Sequence, residues 1–277
     1  MSGRAYGKLP AELLRLAALV PSRPVEAYDR VCGYLDLASE ALRKSDARYE
    51  TVGFAEAVAD LDAFFGEARE ILREPALAEV ERRARELLAA VRKEDPFETR
   101  WTADVIFARS CYLLCRLSKP GAVIETGVAH GVSSAFLLAA LRENGGGELH
   151  SVDLPPLRRD AARFWGIAAR AGGDTSGWKL YRGASRRELP ELFERLGSVG
   201  LVVHDSLHTY RNMGYELDLA WNHLPSGGVL LADDPERNAA FDELSRRGPE
   251  LLRVIRDVED APLAGGAART TLGFAVK

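Results

Sequence analysis

The stretch Val123-Ile124-Glu125-Thr126-Gly127-Val128-Ala129-His130-Gly131-Val132-Ser133-Ser134 reads as a strand end, a glycine turn and a helix start in unbroken succession. The apolar run that begins at Ala122 stops at Glu125. Gly127 and Gly131 let the backbone turn tightly and approach a ligand closely. Ser133 and Ser134 open the next helix, whose free N–H groups favour a carboxylate. A strand that hands over to a helix through such a turn is the first half of a βαβ unit.

Downstream the same rhythm repeats. Ala122–Glu125, Leu149–Asp153, Trp178–Tyr181, Leu201–His204 and Val229–Ala232 read as strands. Ser133–Arg142, Arg158–Ala171, Arg187–Leu196, His208–Leu224 and Glu236–Arg247 read as amphipathic helices between and after them. Alternation at this spacing predicts right-handed crossovers and a parallel sheet buried on both faces. Leu251–Val258 and Thr271–Val276 break the rhythm, being strand candidates joined by a loop with no helix. They suit a closing antiparallel hairpin.

Upstream the chain looks helical. Leu9–Val20, Val25–Arg43, Phe54–Leu72, Ala76–Val91 and Thr102–Leu117 carry apolar residues at three- and four-residue spacing. Pro21, Pro24 and Pro75 punctuate them, and Lys119-Pro120-Gly121 stops the last. The expected architecture is α/β: a helical region over 1–118, then a Rossmann-like domain over 119–277 with a seven-stranded, mostly parallel sheet. The helical region is expected to serve as a lid or a dimer contact, because its apolar faces must bury against something.

Composition narrows the function classes. A net charge of −4 over 277 residues gives no electrostatic case for nucleic-acid binding. With no cationic leader and no apolar run of spanning length, the sequence predicts a cytoplasmic protein with no membrane partner. Cys32 stands alone and Cys111 and Cys115 lie four apart in an apolar stretch, which predicts reduced, packed thiols rather than a disulfide or metal framework.

In open α/β sheets ligands bind at the carboxyl ends of the strands. A dinucleotide fold would want Gly-x-Gly-x-x-Gly around its pyrophosphate. Here the first position is Glu125, which would repel a pyrophosphate and suits a cofactor bearing an ammonium and a sulfonium. Asp153, at the next strand end, can accept from the hydroxyls of an unphosphorylated ribose. Glu-x-Gly-x-x-x-Gly followed by Asp153 resembles the first two motifs of class I S-adenosylmethionine-dependent methyltransferases. That resemblance implies a cofactor site made of Glu125, Thr126, Gly127, Ala129 and Gly131, with Ser133 and Ser134 behind them. It adds Asp153, Asp205 and, at the adenine end after the third strand, Ser185. Ala184 lacks the carboxylate often found there.

Two further stretches, Val202-Val203-His204-Asp205-Ser206-Leu207-His208-Thr209-Tyr210 and Gly227-Gly228-Val229-Leu230-Leu231-Ala232-Asp233-Asp234, resemble the macrocin-type small-molecule O-methyltransferases. The resemblance spans roughly Gly121–Lys277. It implies that Asp205, Asp233 and Asp234 hold a divalent metal. Three carboxylates at neighbouring strand ends repel one another unless protonated or bridged by a cation, and oxygen ligation selects Mg²⁺, with Mn²⁺ or Ca²⁺ as alternatives. The competing reading makes Asp233 and Asp234 caps of the helix at Pro235-Glu236.

One departure bears on the base. Relatives carry Asp-Gly-Asp-His-x-Tyr, and Leu207 stands at the second Asp. His208, with an ordinary pKa of about 6.5, is left as the candidate for proton removal beside Asp205. Strand alternation turns His204 away from Asp205, toward core or interface. Trp165, Trp178 and Trp221 read as packing residues. The expected activity is methyl transfer to a hydroxyl of a small molecule, a sugar or secondary metabolite. An N-methyltransferase without catalytic metal and a non-catalytic cofactor-binding regulator are the rivals, and a nicotinamide dehydrogenase is disfavoured by Glu125.

Overall fold

Strands buried on both faces carry continuous apolar runs, and Val123-Ile124, Val202-Val203 and Val229-Leu230-Leu231 lie at the centre of one eight-stranded sheet. The computed structural model of the chain describes residues 9–43, 49–91, 102–157, 161–258, 263 and 269–277. Its strands are β1 (Thr51–Val52), β2 (Ala122–Thr126), β3 (Glu148–Asp153), β4 (Trp178–Arg182), β5 (Leu201–His204), β6 (Val229–Asp233), β7 (Leu251–Val258) and β8 (Arg269–Val276). They are ordered β1-β7-β8-β6-β5-β2-β3-β4. From β6 to β4 all pairs are parallel. β8 runs antiparallel between β6 and β7. This is the Rossmann-like sheet with a closing hairpin that the alternation predicts. The added strand is β1, which pairs Thr51 with Val254 and Val52 with Ile255 at the outer edge. At two residues it is too short to leave a periodic signature.

Alternate residues of the central strands feed two cores. Val123, Leu149, Val203 and Leu231 face α3 (Phe54–Phe65), α5 (Pro75–Val91), α6 (Val105–Ser118) and α7 (Val132–Glu143). Ile124, Val152, Val202 and Leu230 face α9 (Ser185–Leu196), α10 (Tyr210–His223) and the short α11 (Ala240–Ser245). The helices from Phe54 onward thus share the core of the sheet. Cys111 and Cys115 are buried in it as free thiols, as expected.

Glycines divide two of the anticipated helices. Gly66, in the left-handed region with φ 96°, ends α3 and leaves the one-turn α4 (Ala68–Ile71). Gly166, with φ 67°, separates α8 (Ala161–Phe164) from a 3-10 turn at Ile167–Gly172. The start of that anticipated helix, 158–160, lies outside the described residues. Extended backbone at Asn238 separates a 3-10 turn, Pro235–Arg237, from α11.

The two leading helices, α1 (Leu9–Leu19) and α2 (Pro24–Glu40), are absent from both cores. α2 is turned the reverse of the usual way. Val25, Tyr28 and Leu35 are more than half exposed, while the acidic side chains of Asp29 and Asp36 are less than a tenth exposed. Among the described residues no helix is long and apolar enough to cross a membrane.

Candidate functional site

Strand order reverses at β2, which has β3 on one side and β5 on the other; the crevice of an open α/β sheet lies at such a reversal. The loops after β2 and β5 meet there. Asp205 donates its backbone N–H to the Thr126 carbonyl at 2.8 Å. Gly127 (φ 83°) crosses so close that a Cβ would collide with the Asp205 carbonyl. Gly131 (φ 78°) caps α7, and a Cβ there would stand 2.9 Å from Gly166 Cα. Both glycines of the motif are therefore required by contact as well as by dihedral.

Glu125 is fully buried. Its Oε2 accepts from Ser134 and Ser151, each at 2.6 Å, while its Oε1 has no hydrogen-bond partner among the described residues. Burial pushes its carboxyl up, against the bonds from Ser133, Ser134 and Ser151, and Asp153 adds to the rise. Ser133 and Ser134, expected beside the cofactor, thus turn their hydroxyls to Glu125. Asp153 accepts from Leu154 N at 2.8 Å, Ala129 N at 3.3 Å and Trp165 Nε1 at 2.7 Å. Burial raises its pKa and these donors oppose the rise.

At the carboxyl ends of β5 and β6 the structure brings Asp205, His208 and Asp233 together. His208 Nε2 is 3.8 Å from Asp205 Oδ1 and 3.8 Å from Asp233 Oδ2, and one ligand atom from each of the three residues lies within 4.8 Å of the others. Burial and then neighbouring charges, Glu125 and Asp104 for Asp205, Asp205 and Asp234 for Asp233, hold both carboxyls well above the usual range. Burial and the nearby His204 push His208 down to about 4. Its Nε2 is buried with no hydrogen-bond partner. Asp234 faces the other ring nitrogen, its Oδ2 3.8 Å from His208 Nδ1. It has φ 48°, its carboxylate accepts from Arg237 at 2.8 Å, and it makes no side-chain cap to the turn that follows. An unpartnered ring nitrogen flanked by two carboxylates fits a divalent cation. The set mixes one imidazole with two carboxylates, which admits Mn²⁺ beside Mg²⁺.

Glu216 is the principal residue that the motifs do not reveal. It lies 2% exposed on α10 and accepts from Thr126 Oγ1 at 2.5 Å, Ser206 Oγ at 2.7 Å and Asn212 Nδ2 at 2.8 Å. His204 Nδ1 lies 2.7 Å from it. Burial opposes its ionisation, yet His204 and the bonds from His204, Ser185 and Thr126 hold it down to about 2. Ser185, expected at the adenine end, is thereby engaged with Glu216. His204 does face away from Asp205 into the core, as alternation requires, and its ring packs edge-on to His208 with centroids 5.4 Å apart. The available signal for Glu216 was an acid on the stripe of Met213, Leu217 and Ala220. Asp104 was likewise missed. It caps α6 through Phe107 N at 2.7 Å and adds negative charge beside Asp205 and Asp233.

α2 reaches across these strand ends through its acids. Glu26 pairs with Arg182 at 3.0 Å, Asp29 with Arg187 at 2.6 Å and Asp36 with Arg186 at 2.6 Å, and Glu40 accepts from Tyr210 N at 2.9 Å. Arg30 donates to the Pro155 carbonyl at 2.6 Å. Leu207 lies beneath this helix. Its Cδ2 is 3.9 Å from where a Cβ on Gly33 would stand.

No curated protein matches the sequence. Among the solved structures that resemble the chain are three with TM-scores below 0.5. A putative O-methyltransferase from Klebsiella pneumoniae is 16% identical, with 80% of this chain and 100% of that one covered and a TM-score of 0.47. An O-methyltransferase from Bacillus cereus, in complex with S-adenosylhomocysteine, is 15% identical, with coverage of 79% and 100% and a TM-score of 0.48. The tomaymycin-synthesis O-methyltransferase TomG of Streptomyces achromogenes, in complex with S-adenosylmethionine, is 16% identical, with coverage of 79% and 96% and a TM-score of 0.47. Residues 124–235, which hold the glycine loop, Asp153 and the Asp205–His208–Asp233 cluster, match the family described as a methyltransferase domain.

Proposed function

We propose that the chain transfers a methyl group from S-adenosylmethionine to a hydroxyl of a small molecule with the help of a divalent metal. The observation that carries this reading is the convergence of Asp205, His208 and Asp233 one backbone hydrogen bond away from the Glu125–Gly131 turn. The bound cofactor supplies an electrophilic methyl, and a bound cation supplies a Lewis acid that lowers the acceptor's pKa. The protein aligns the two reactants. Glu125 Oε1, buried and without a hydrogen-bond partner among the described residues, is placed to accept from the cofactor's ammonium. Gly127 and Gly131 let the backbone close on the cofactor, and Asp153 takes the ribose. Asp205 and Asp233 hold the cation, of which Mg²⁺ is the proposed occupant. His208, neutral at pH 7, either completes the ligand set or takes the acceptor's proton at Nε2.

α2 serves as the lid in this reading. Its contacts on the strand ends are ion pairs, which hold less firmly than apolar burial, so it can lift for exchange. Its outward apolar side is the face that a second copy would cover in a dimer; sedimentation at micromolar concentration reading a monomer would sink that part.

The test is a thermal-shift titration with S-adenosylhomocysteine, with and without Mg²⁺ or Mn²⁺, and with NADH as control. At a hundred times its dissociation constant a ligand adds about 2.7 kcal/mol, a shift of about 5 °C for a chain of this size. S-adenosylhomocysteine should also slow amide exchange in α2. A shift with NADH alone would discard the mechanism. Full turnover in EDTA would leave methyl transfer without metal, to nitrogen or oxygen.

A further inference from the structure

Trp165 does more than pack. Its indole N–H donates to Asp153 Oδ2 at 2.7 Å, and its backbone N–H bonds the Ala161 carbonyl at 2.9 Å. The turn after it is tied to the glycine loop, with Gly166 N on the Ala129 carbonyl at 2.9 Å and Ala168 N on the His130 carbonyl at 2.6 Å. The Arg182 guanidinium stands over the indole, 5.8 Å from the ring centroid, and Arg182 is itself held by Glu26 of α2 at 3.0 and 3.1 Å. The indole is therefore fixed from the loop, the strand end and the lid, and the ring remains partly exposed.

An ionised carboxylate offers about four acceptor positions. On Asp153, Leu154 N takes one at Oδ1, and Ala129 N and Trp165 Nε1 take two at Oδ2. The Val128 backbone N–H also acts on the carboxylate, and of all these donors only the indole comes from outside the two strand-end loops. Resting on the reading of the cleft as an adenosyl-cofactor site, we propose that Trp165 is a positioning residue that orients the Asp153 carboxylate toward the cofactor's ribose. Without the indole N–H the carboxylate turns about its own bond and loses that aim.

Isothermal titration of S-adenosylhomocysteine into the full chain tests this through a cycle of Trp165→Phe and Asp153→Asn. Trp165→Phe should weaken binding about tenfold, the worth of one hydrogen bond to a charged group. The double variant should bind no more weakly than Asp153→Asn alone. A fluorescence change on binding should be present in the wild type and absent in Trp165→Phe at saturation. Unchanged affinity in Trp165→Phe, or full additivity in the double variant, overturns the proposal. Should Trp165→Phe not fold, Trp165→His, which keeps a ring N–H, takes its place. It should bind more tightly than Trp165→Ala, and equal losses in the two overturn the proposal. No binding by the wild type brings down the cofactor reading itself, whereas normal binding indifferent to Trp165 brings down only this inference.

Discussion

Glu216→Gln is expected to destabilise the folded chain by roughly 3 kcal/mol at pH 7, the equivalent of a carboxyl held at about 2 against an ordinary 4.5. The substitution keeps the shape and removes the charge that His204 and the Thr126 and Ser206 hydroxyls address. Leaving such a buried cluster without its anion is among the costlier single changes, on the order of 3–5 kcal/mol where an ion pair is broken. The pH dependence follows from the sign. A depressed carboxyl stabilises above its unfolded pKa and loses that contribution as pH falls toward its folded one. The gap between wild type and variant should therefore be full above about pH 5 and narrow steadily below it. Urea unfolding of both proteins at pH 7 and pH 4 measures this. Equal stability at pH 7 would mean that the hydrogen-bond network works without its charge.

Glu216 also shows where sequence reading ends. The strands were legible because parallel β-structure buried on both faces writes itself as short β-branched runs, and a run such as Leu201-Val202-Val203 leaves little choice. The positions of Glu125, Asp153, Asp205 and Asp233 were legible because they end those runs. What a side chain meets across the fold was not. Nothing local joins Glu216 to Thr126, 90 positions away, or Trp165 to Asp153, and nothing tells that one imidazole, His208, will stand 3.8 Å from Asp205, Asp233 and Asp234 alike. The inverted α2 is the sharpest case. Its periodicity is that of a helix that buries its apolar side, and only Arg182 at the end of β4 and Arg186 and Arg187 on α9 decide that its acids face inward instead.

Asp233→Asn is expected to move stability and activity in opposite directions. In the metal-free protein Asp233 and Asp205 are raised well above the usual carboxylate range, first by burial and then by one another and by nearby acids. A carboxyl raised in the folded state weakens the fold once pH exceeds its unfolded value, because the unfolded chain ionises freely and the folded chain does not. Asparagine removes that cost, so the variant should be more stable than wild type by about 1–2 kcal/mol at pH 7, with the difference fading toward pH 3. Mg²⁺ should stabilise the wild type and leave the variant nearly unchanged. Turnover should fall by roughly a hundredfold or more, since a Lewis acid contributes several kcal/mol to the transition state and each 1.4 kcal/mol is tenfold. Affinity for S-adenosylhomocysteine should change little, because Asp233 lies beyond the Glu125–Asp153 loops that would hold it. Calorimetry, steady-state kinetics and a binding titration on the one variant separate the possibilities. A variant less stable than wild type would make Asp233 a structural carboxylate. One that is more stable yet fully active would leave the acidic cluster without a catalytic purpose.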